Sequence, residues 1–286
     1  MKLNKIQILL PTSLNPSDKL LLTFLLLQIL SCSHSEDLKS QFKSSEQRSV
    51  SPNIQNDSVP RNVKKLMSFY NEIGFENNYL VFSAKTKLVY DDKKTKTTAE
   101  LLDNPDIEDI FFWKYNASLE TPAVNEDPGR IRNEDFLKLL YGSSKEEVRK
   151  NLKSLNWCPK LVNQTILFNK KNGAFEALKP VSDELDLHPE WKKYITNIGG
   201  TFNWRNISGT NRLSAHSFGI TIDINTSFSN YWQWDCGCKN EDVKLSYKNK
   251  IPQELVSVFE KNGFIWGGRW YHYDTMHFEY RPEMFD

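Results

Sequence analysis

Two stretches of the chain alternate between apolar and polar positions with the period of a strand. From Gly219 onward, Ile220, Ile222 and Ile224 occupy one parity, and Gly219, Thr221 and Asp223 the other. This is the pattern of a sheet strand with one buried face, so Asp223 points away from the core. Near the C-terminus Met276, Phe278 and Tyr280 share one face, and His277 and Glu279 share the opposite one. Two side chains fall just outside these alternations. His216 belongs to the turn entering the first strand. Asp274 has the wrong parity to share a face with His277 in a continuous strand, which places it in the turn before the second.

The other periodicities predict a mixture of helices and strands. Val63, Leu66, Met67, Tyr70 and Ile73, followed by Gly74, make an amphipathic helix. Residues 79–90 read as one or two strands and 93–98 as a solvated loop. Pro105 opens a helix through 115. Asn133 caps a helix over 135–141 that Gly142 stops, and Ser144 with Glu147 forms a capping box for a helix through 155, with Val148, Leu152 and Leu155 inward. Residues 165–168 form a strand turning at Asn172-Gly173. Pro189 opens a helix ending before Gly199-Gly200. A short strand over 201–205, a loop over 206–213 and a long connection over 226–249 surround the first alternating stretch. Pro252 and Gly263 bracket a helix whose Leu255, Val256, Val258 and Phe259 face the core.

The N-terminus has a different character. Lys2, Lys5 and Lys19 precede an apolar run over 20–30, too short to span a bilayer and the right length for a signal-peptide core. Ile29-Leu30-Ser31-Cys32 follows and looks like a bacterial lipobox, with cleavage before Cys32 and lipid on its sulfur. An ordinary signal peptide that contains Cys32 is the plainer reading. The expected organisation is a lipoprotein signal peptide over 1–31, a disordered tether over 32–61, a helical N-terminal part over 62–190 and a catalytic core over 191–286. That makes the protein an exported lipoprotein, membrane-anchored in the periplasm or on the cell surface.

At 286 residues, 39% hydrophobic and 13% aromatic, the chain can bury one sizeable core or two small ones. Its 37 basic and 36 acidic residues nearly cancel, and no dense basic block stands out, so nucleic acid is not expected as a partner. Beyond Cys32 the cysteines are Cys158, Cys236 and Cys238, an odd number for an exported protein. A bond from Cys158 to one of the other two, or a small metal site at Cys236-Gly237-Cys238, both remain open.

The sharpest chemistry lies in the two alternating stretches. His216, Asp223 and His277 form a facial set with Asp274 beside it. Two imidazole nitrogens, one carboxylate and an open fourth position are what a catalytic zinc uses, with water as fourth ligand. A carboxylate that does not ligate can take the proton of that water. A histidine flanked by apolar residues is more often a satisfied core group, but two of only five histidines fall at these positions.

Ser214-x-His216-x-x-Gly219-x-x-x-Asp223 and the late Asp274-x-x-His277-Phe278-Glu279 resemble the zinc peptidases that cut bacterial peptidoglycan stem peptides, the D-alanyl-D-alanine carboxypeptidase and L-alanyl-D-glutamate endopeptidase family. The resemblance covers most of 127–284, including Asp127-Pro128-Gly129-Arg130-Ile131-Arg132 and Phe202-Asn203-Trp204-Arg205. Thr221 stands where the family usually has alanine. The resemblance implies an α+β fold, with a central antiparallel sheet, flanking helices and one zinc in a cleft, similar to hedgehog and D-Ala-D-Ala peptidase domains. It further implies His216, Asp223 and His277 as Zn2+ ligands, Asp274 as base, Arg205 as active-site arginine with Arg212 as competitor, and a peptidoglycan peptide as substrate. Ser214, His272 and Glu279 are expected in substrate-binding or supporting roles. The rival class is a catalytically inactive zinc-binding or wall-binding lipoprotein.

Overall fold

The computed structural model describes residues 59–83, 85–118 and 121–286. The expected signal peptide, Cys32 and nearly all of the tether lie outside the described residues. Helix α1 (Arg61–Phe69) buries Val63 and Leu66, and Tyr70 and Ile73 continue the apolar face beyond its end. Strands β1 (Gly74–Glu76), β2 (Tyr79–Ser83) and β3 (Thr86–Val89) form an antiparallel meander. Its first reversal uses Asn77 and Asn78, both at positive φ, as a tight two-residue hairpin requires.

Helix α2 (Thr98–Asp103) was not anticipated, although Thr97 and Glu100 form a reciprocal capping box. The helix expected from Pro105 is reduced to a 3-10 turn over Glu108–Phe111. There the Asp106 and Asp109 carboxylates each accept from the other's backbone amide, a local alternative to the helical ladder. Helix α3 (Glu134–Tyr141) is capped by Asn133 and stopped at Gly142, as the spacing predicts.

Helix α4 (Lys145–Asn151) ends earlier than expected. Residues beyond it form β4 (Leu152–Trp157), paired along its whole length with β5 (Gln164–Asn169). Leu155 and Trp157 alternate inward from this strand, so tertiary burial overrides the helical spacing. Asn172-Gly173 does not close a hairpin. Both residues adopt positive φ and lead into α5 (Ala174–Leu185), whose apolar positions Ala174, Phe175, Leu178, Val181 and Leu185 recur at helical spacing around Pro180. After a 3-10 turn over Pro189–Trp191, α6 (Lys192–Ile195) is shorter than expected. Gly199 and Gly200 lie in β6 (Ile198–Gly200).

The site rests on a four-stranded antiparallel sheet of order β6-β7-β9-β8, with β7 (Thr221–Asn225), β8 (Phe264–Trp266) and β9 (His277–Tyr280). It is one of three antiparallel sheets among the described residues. Its inner face carries Ile222, Ile224, Phe264 and Phe278 against α8 (Gln253–Glu260), with the Phe259 and Phe278 rings stacked at 3.8 Å. Residues 201–205 are not a strand. They are tied to the following turn through Asn203 N to His216 O and Arg205 N to Ser217 Oγ. Within the long connection, α7 (Trp232–Cys236) is followed by a Cys236–Cys238 disulfide, while Cys158 is free and buried. Both arrangements left open for these cysteines therefore give way to a bond between near neighbours. Among the described residues the main core draws on side chains from Val59 to Met284, and Leu101, Leu102 and Ile131 form a second, small cluster. Among the described residues no helix is long and apolar enough to cross a membrane.

Candidate metal centre and active site

Register brings the two alternating stretches together. β7 and β9 pair Thr221 with Glu279, Ile222 with Phe278 and Asp223 with His277, so the polar parity of both strands lies on one face. His216 arrives from a 3-10 turn over Ala215–Phe218, in which Ser214 Oγ accepts from the His216 amide at 3.4 Å. Gly219 closes that turn at φ 66°, a conformation glycine adopts without strain. The buried Asn169 side chain donates to Phe218 O, and its amide donates to Gly219 O. Gly199 permits the close approach of β6, since a Cβ there would lie 3.1 Å from that of Asp223.

The donor atoms of His216, Asp223 and His277 all lie within 4.8 Å of one another. His216 Nε2 is 3.1 Å from Asp223 Oδ2, and His277 Nδ1 is 2.9 Å from Asp223 Oδ1. His216 Nδ1 donates to Thr201 O at 2.8 Å, which orients the ring and leaves the Nε2 lone pair toward the cluster. On the far side of the other ring, Glu279 Oε2 sits 3.5 Å from His277 Nε2, an electrostatic approach too long for a well-formed hydrogen bond. Glu279 is fully buried and gripped by Arg132, whose Nε and Nη2 lie 2.6 to 3.0 Å from its oxygens, with Arg281 Nη1 at 3.3 Å. Arg132 also stacks over Trp270.

Asp274 lies in the turn before β9, its amide donating to Gly267 O and its backbone bridged to Tyr231. The residue is half-buried, but Oδ1 is shielded and has no hydrogen-bond partner among the described residues. Burial and then the Asp223 charge raise its pKa well above the carboxylate range, against the pull of His277 and His216. Burial works against ionisation of Asp223 too, yet His216 and His277 outweigh it and hold that carboxyl low. Burial opposes protonation of His277, but Asp223 and Glu279 push its pKa up to about 10. Glu279 is held low because Arg132 and Arg281 overcome the burial that would raise it. Nitrogen and oxygen donors facing one point, with a negative environment that draws a proton onto His277, suit a divalent cation, which would replace that proton.

The other residues singled out from the sequence are placed differently. Arg205 is exposed and donates to the carbonyl of Asn206. Arg212 lies 3.2 Å from Asp103. His272 is buried away from the cluster, with Nδ1 2.7 Å from Asp127 and Nε2 2.9 Å from Glu241 O. Arg132 falls within the Asp127–Arg132 motif, which by itself assigns it no task. Its parity with Arg130 around the buried Ile131 was the available signal. Among the described residues two further carboxylate groups share Asp106, and there the Lys96 ammonium pairs with Asp92, Asp106 and Asp109, so the cation is the chain's own lysine.

No curated protein and no solved structure matches the chain significantly. Residues 208–280, the stretch carrying His216, Asp223, Asp274 and His277, match the family model described as D-alanyl-D-alanine carboxypeptidase, the peptidase family that the two motifs resemble.

Proposed function

We propose that the cluster is a zinc centre and that the protein hydrolyses amide bonds in bacterial peptidoglycan stem peptides, as a D-Ala-D-Ala carboxypeptidase or an L-Ala-D-Glu endopeptidase. The observation that carries this reading is the convergence of His216 Nε2, Asp223 and His277 Nδ1 beside a separate shielded carboxylate, Asp274. Zinc held there would polarise the scissile carbonyl and lower the pKa of the attacking water to roughly 7. Asp274 takes the proton of that water and returns it to the leaving amine. Thr201 O accepts from His216 Nδ1 and orients that ring, and the Glu279 charge near His277 Nε2 favours the ligating orientation of the other. Arg205 is assigned to the oxyanion; among the described residues its only side-chain hydrogen bond is to the carbonyl of the exposed Asn206, which leaves it free to turn. An inactive zinc-binding or wall-binding lipoprotein is the rival reading, and the base beside the ligands argues against it. The lipid anchor at Cys32 and an extracytoplasmic location complete the proposal, resting on the apolar run over 20–30 and the lipobox-like Ile29-Leu30-Ser31-Cys32.

The test is incubation of the zinc-loaded protein with defined muropeptides and weighing of the products, which reads activity and bond choice together. Asp274→Ala is expected to abolish turnover while retaining zinc, and His216→Ala to lose both. Intact muropeptides after exposure to zinc-loaded wild type would overturn the reading.

A further inference from the structure

Asp274 has a close neighbour from the long connection over 226–249. Tyr231 stands opposite it in an isolated antiparallel bridge. Trp232 N donates to Tyr273 O and Thr275 N to Asn230 O, both at 2.9 Å, so the hydrogen bonds flank the pair and do not join it. That is the non-hydrogen-bonded kind of antiparallel pair, in which the two side chains lie closest and leave the ladder on the same side. The Tyr231 ring therefore stands beside the Asp274 carboxylate, on the side where that carboxylate feels the charges of Asp223, His277 and His216. A tyrosine is longer than an aspartate, so its hydroxyl reaches past the carboxylate toward whatever Asp274 acts on.

Backbone and ring are both held. Asn230 N donates to Thr275 Oγ1 at 2.7 Å, and that hydroxyl donates to Asn230 O at 3.1 Å. Asn230 Nδ2 and Tyr273 Oη both donate to Asp235 Oδ2, at 3.0 and 2.9 Å. Trp234 packs edge-on against the Tyr231 ring, with centroids 5.3 Å apart and planes at 84°. The hydroxyl alone is uncommitted. Tyr231 is half-buried, and its Oη, which makes no hydrogen bond among the described residues, keeps access to solvent. Burial and then the Asp274 charge push its pKa up to about 12, against Arg130 and Arg205, so the phenol keeps its proton throughout the neutral range.

We propose that Tyr231 is a catalytic residue whose hydroxyl donates a hydrogen bond to the oxygen of the attacked amide carbonyl as negative charge gathers there, a role that rests on the peptidase reading above. A donor aimed at a developing oxyanion is most effective when it is fixed in advance and partly withdrawn from water. Tyr231 meets that condition. Arg205, exposed and turned to the Asn206 carbonyl, has to swing in to assist it. The phenol transfers no proton: the proton of the attacking water passes to Asp274 and on to the leaving amine, and the Tyr231 O–H bond stays intact.

The test compares the zinc-loaded full chain with Tyr231 intact and as Tyr231→Phe, which keeps the ring and its contact with Trp234. Two quantities are measured per bound zinc: turnover of a defined muropeptide, and calorimetric binding of a phosphinate dipeptide whose tetrahedral, negatively charged P–O group stands in for the attacked carbonyl. For loss of one oxyanion donor, kcat is expected to fall roughly 100-fold with KM unchanged, and the phosphinate to bind more weakly by a similar factor. Zinc content and unfolding midpoint stay as in wild type. An unchanged kcat, a loss confined to KM, or phosphinate affinity indifferent to Tyr231→Phe overturns the inference, since a hydroxyl that only packs would leave that affinity alone. If wild type cleaves no muropeptide, the peptidase reading fails on its own and the phosphinate decides: binding weakened in Tyr231→Phe upholds the donor, and equal or absent binding overturns it.

Discussion

His277 shows how much of this site depends on atoms beyond the ligands. Its Nδ1 is held by Asp223 at 2.9 Å, and the Glu279 charge 3.5 Å from its Nε2 favours the same orientation of the ring. Glu279 stays because Arg132 and Arg281 match its buried charge. Outer partners of this kind are worth about 10- to 100-fold in metal affinity. Glu279→Gln, which preserves shape, is therefore expected to weaken zinc binding by about that factor in competition against a chelator, while His216 and Asp223 remain in register. Unchanged affinity would show that Glu279 does not brace the ring. Glu279 could be placed beside His277 from parity alone. Arg132 could not, because nothing local links it to a strand so far along the chain.

At the scale of the element, the 3-10 turn over Ala215–Phe218 aims one ligand and Gly219 ends it. A side chain at position 219 would have to hold φ at 66° and would meet Leu152 Cδ2 2.7 Å from its Cβ. Gly219→Ala is accordingly expected to cost roughly 1–3 kcal/mol, chiefly from the backbone conformation. Denaturant unfolding should show the midpoint falling and zinc retention falling with it, and an unaltered midpoint would mean that the turn tolerates the change. Elements whose apolar period agreed with their final packing were legible: the two site strands, the Asn133-capped helix and the helix after Pro252. Those decided by partners were not. β4 follows α4 because β5 is there to pair with it, and α5 was hidden because Pro180 interrupts an otherwise regular spacing.

Across the whole molecule, one buried carboxylate joins three distant segments. Asp127 accepts from the His272 amide and faces its Nδ1, while Arg130 bridges it to Glu241. Burial alone would raise its pKa, but Arg130 and His272 prevail and hold it at about 2, below its ordinary 3.8. A carboxyl depressed in the folded state stabilises the fold above its unfolded pKa, and that contribution disappears as pH falls through the folded value. This one is worth on the order of 2 kcal/mol, present above about pH 4 and gone by about pH 2. Stability of Asp127→Asn is expected to be lower at neutral pH and flatter between about pH 4 and 2, as read from urea midpoints across that range. Parallel profiles for variant and wild type would remove Asp127 as the source.

The chain's own order of residues determined the parity that puts Asp223, His277 and Glu279 on one sheet face, and the turn positions of His216 and Asp274. Those are consequences of side chains alternating at every residue of a strand, a rule that needs no knowledge of neighbours. Tertiary structure alone decided that β7 and β9 pair in the register that sets Asp223 opposite His277. It also decided that Arg132 reaches Glu279 and that Thr201 O orients His216. Each of those depends on which groups burial forces together and which charges it leaves to be matched, and such partners can lie anywhere in the sequence.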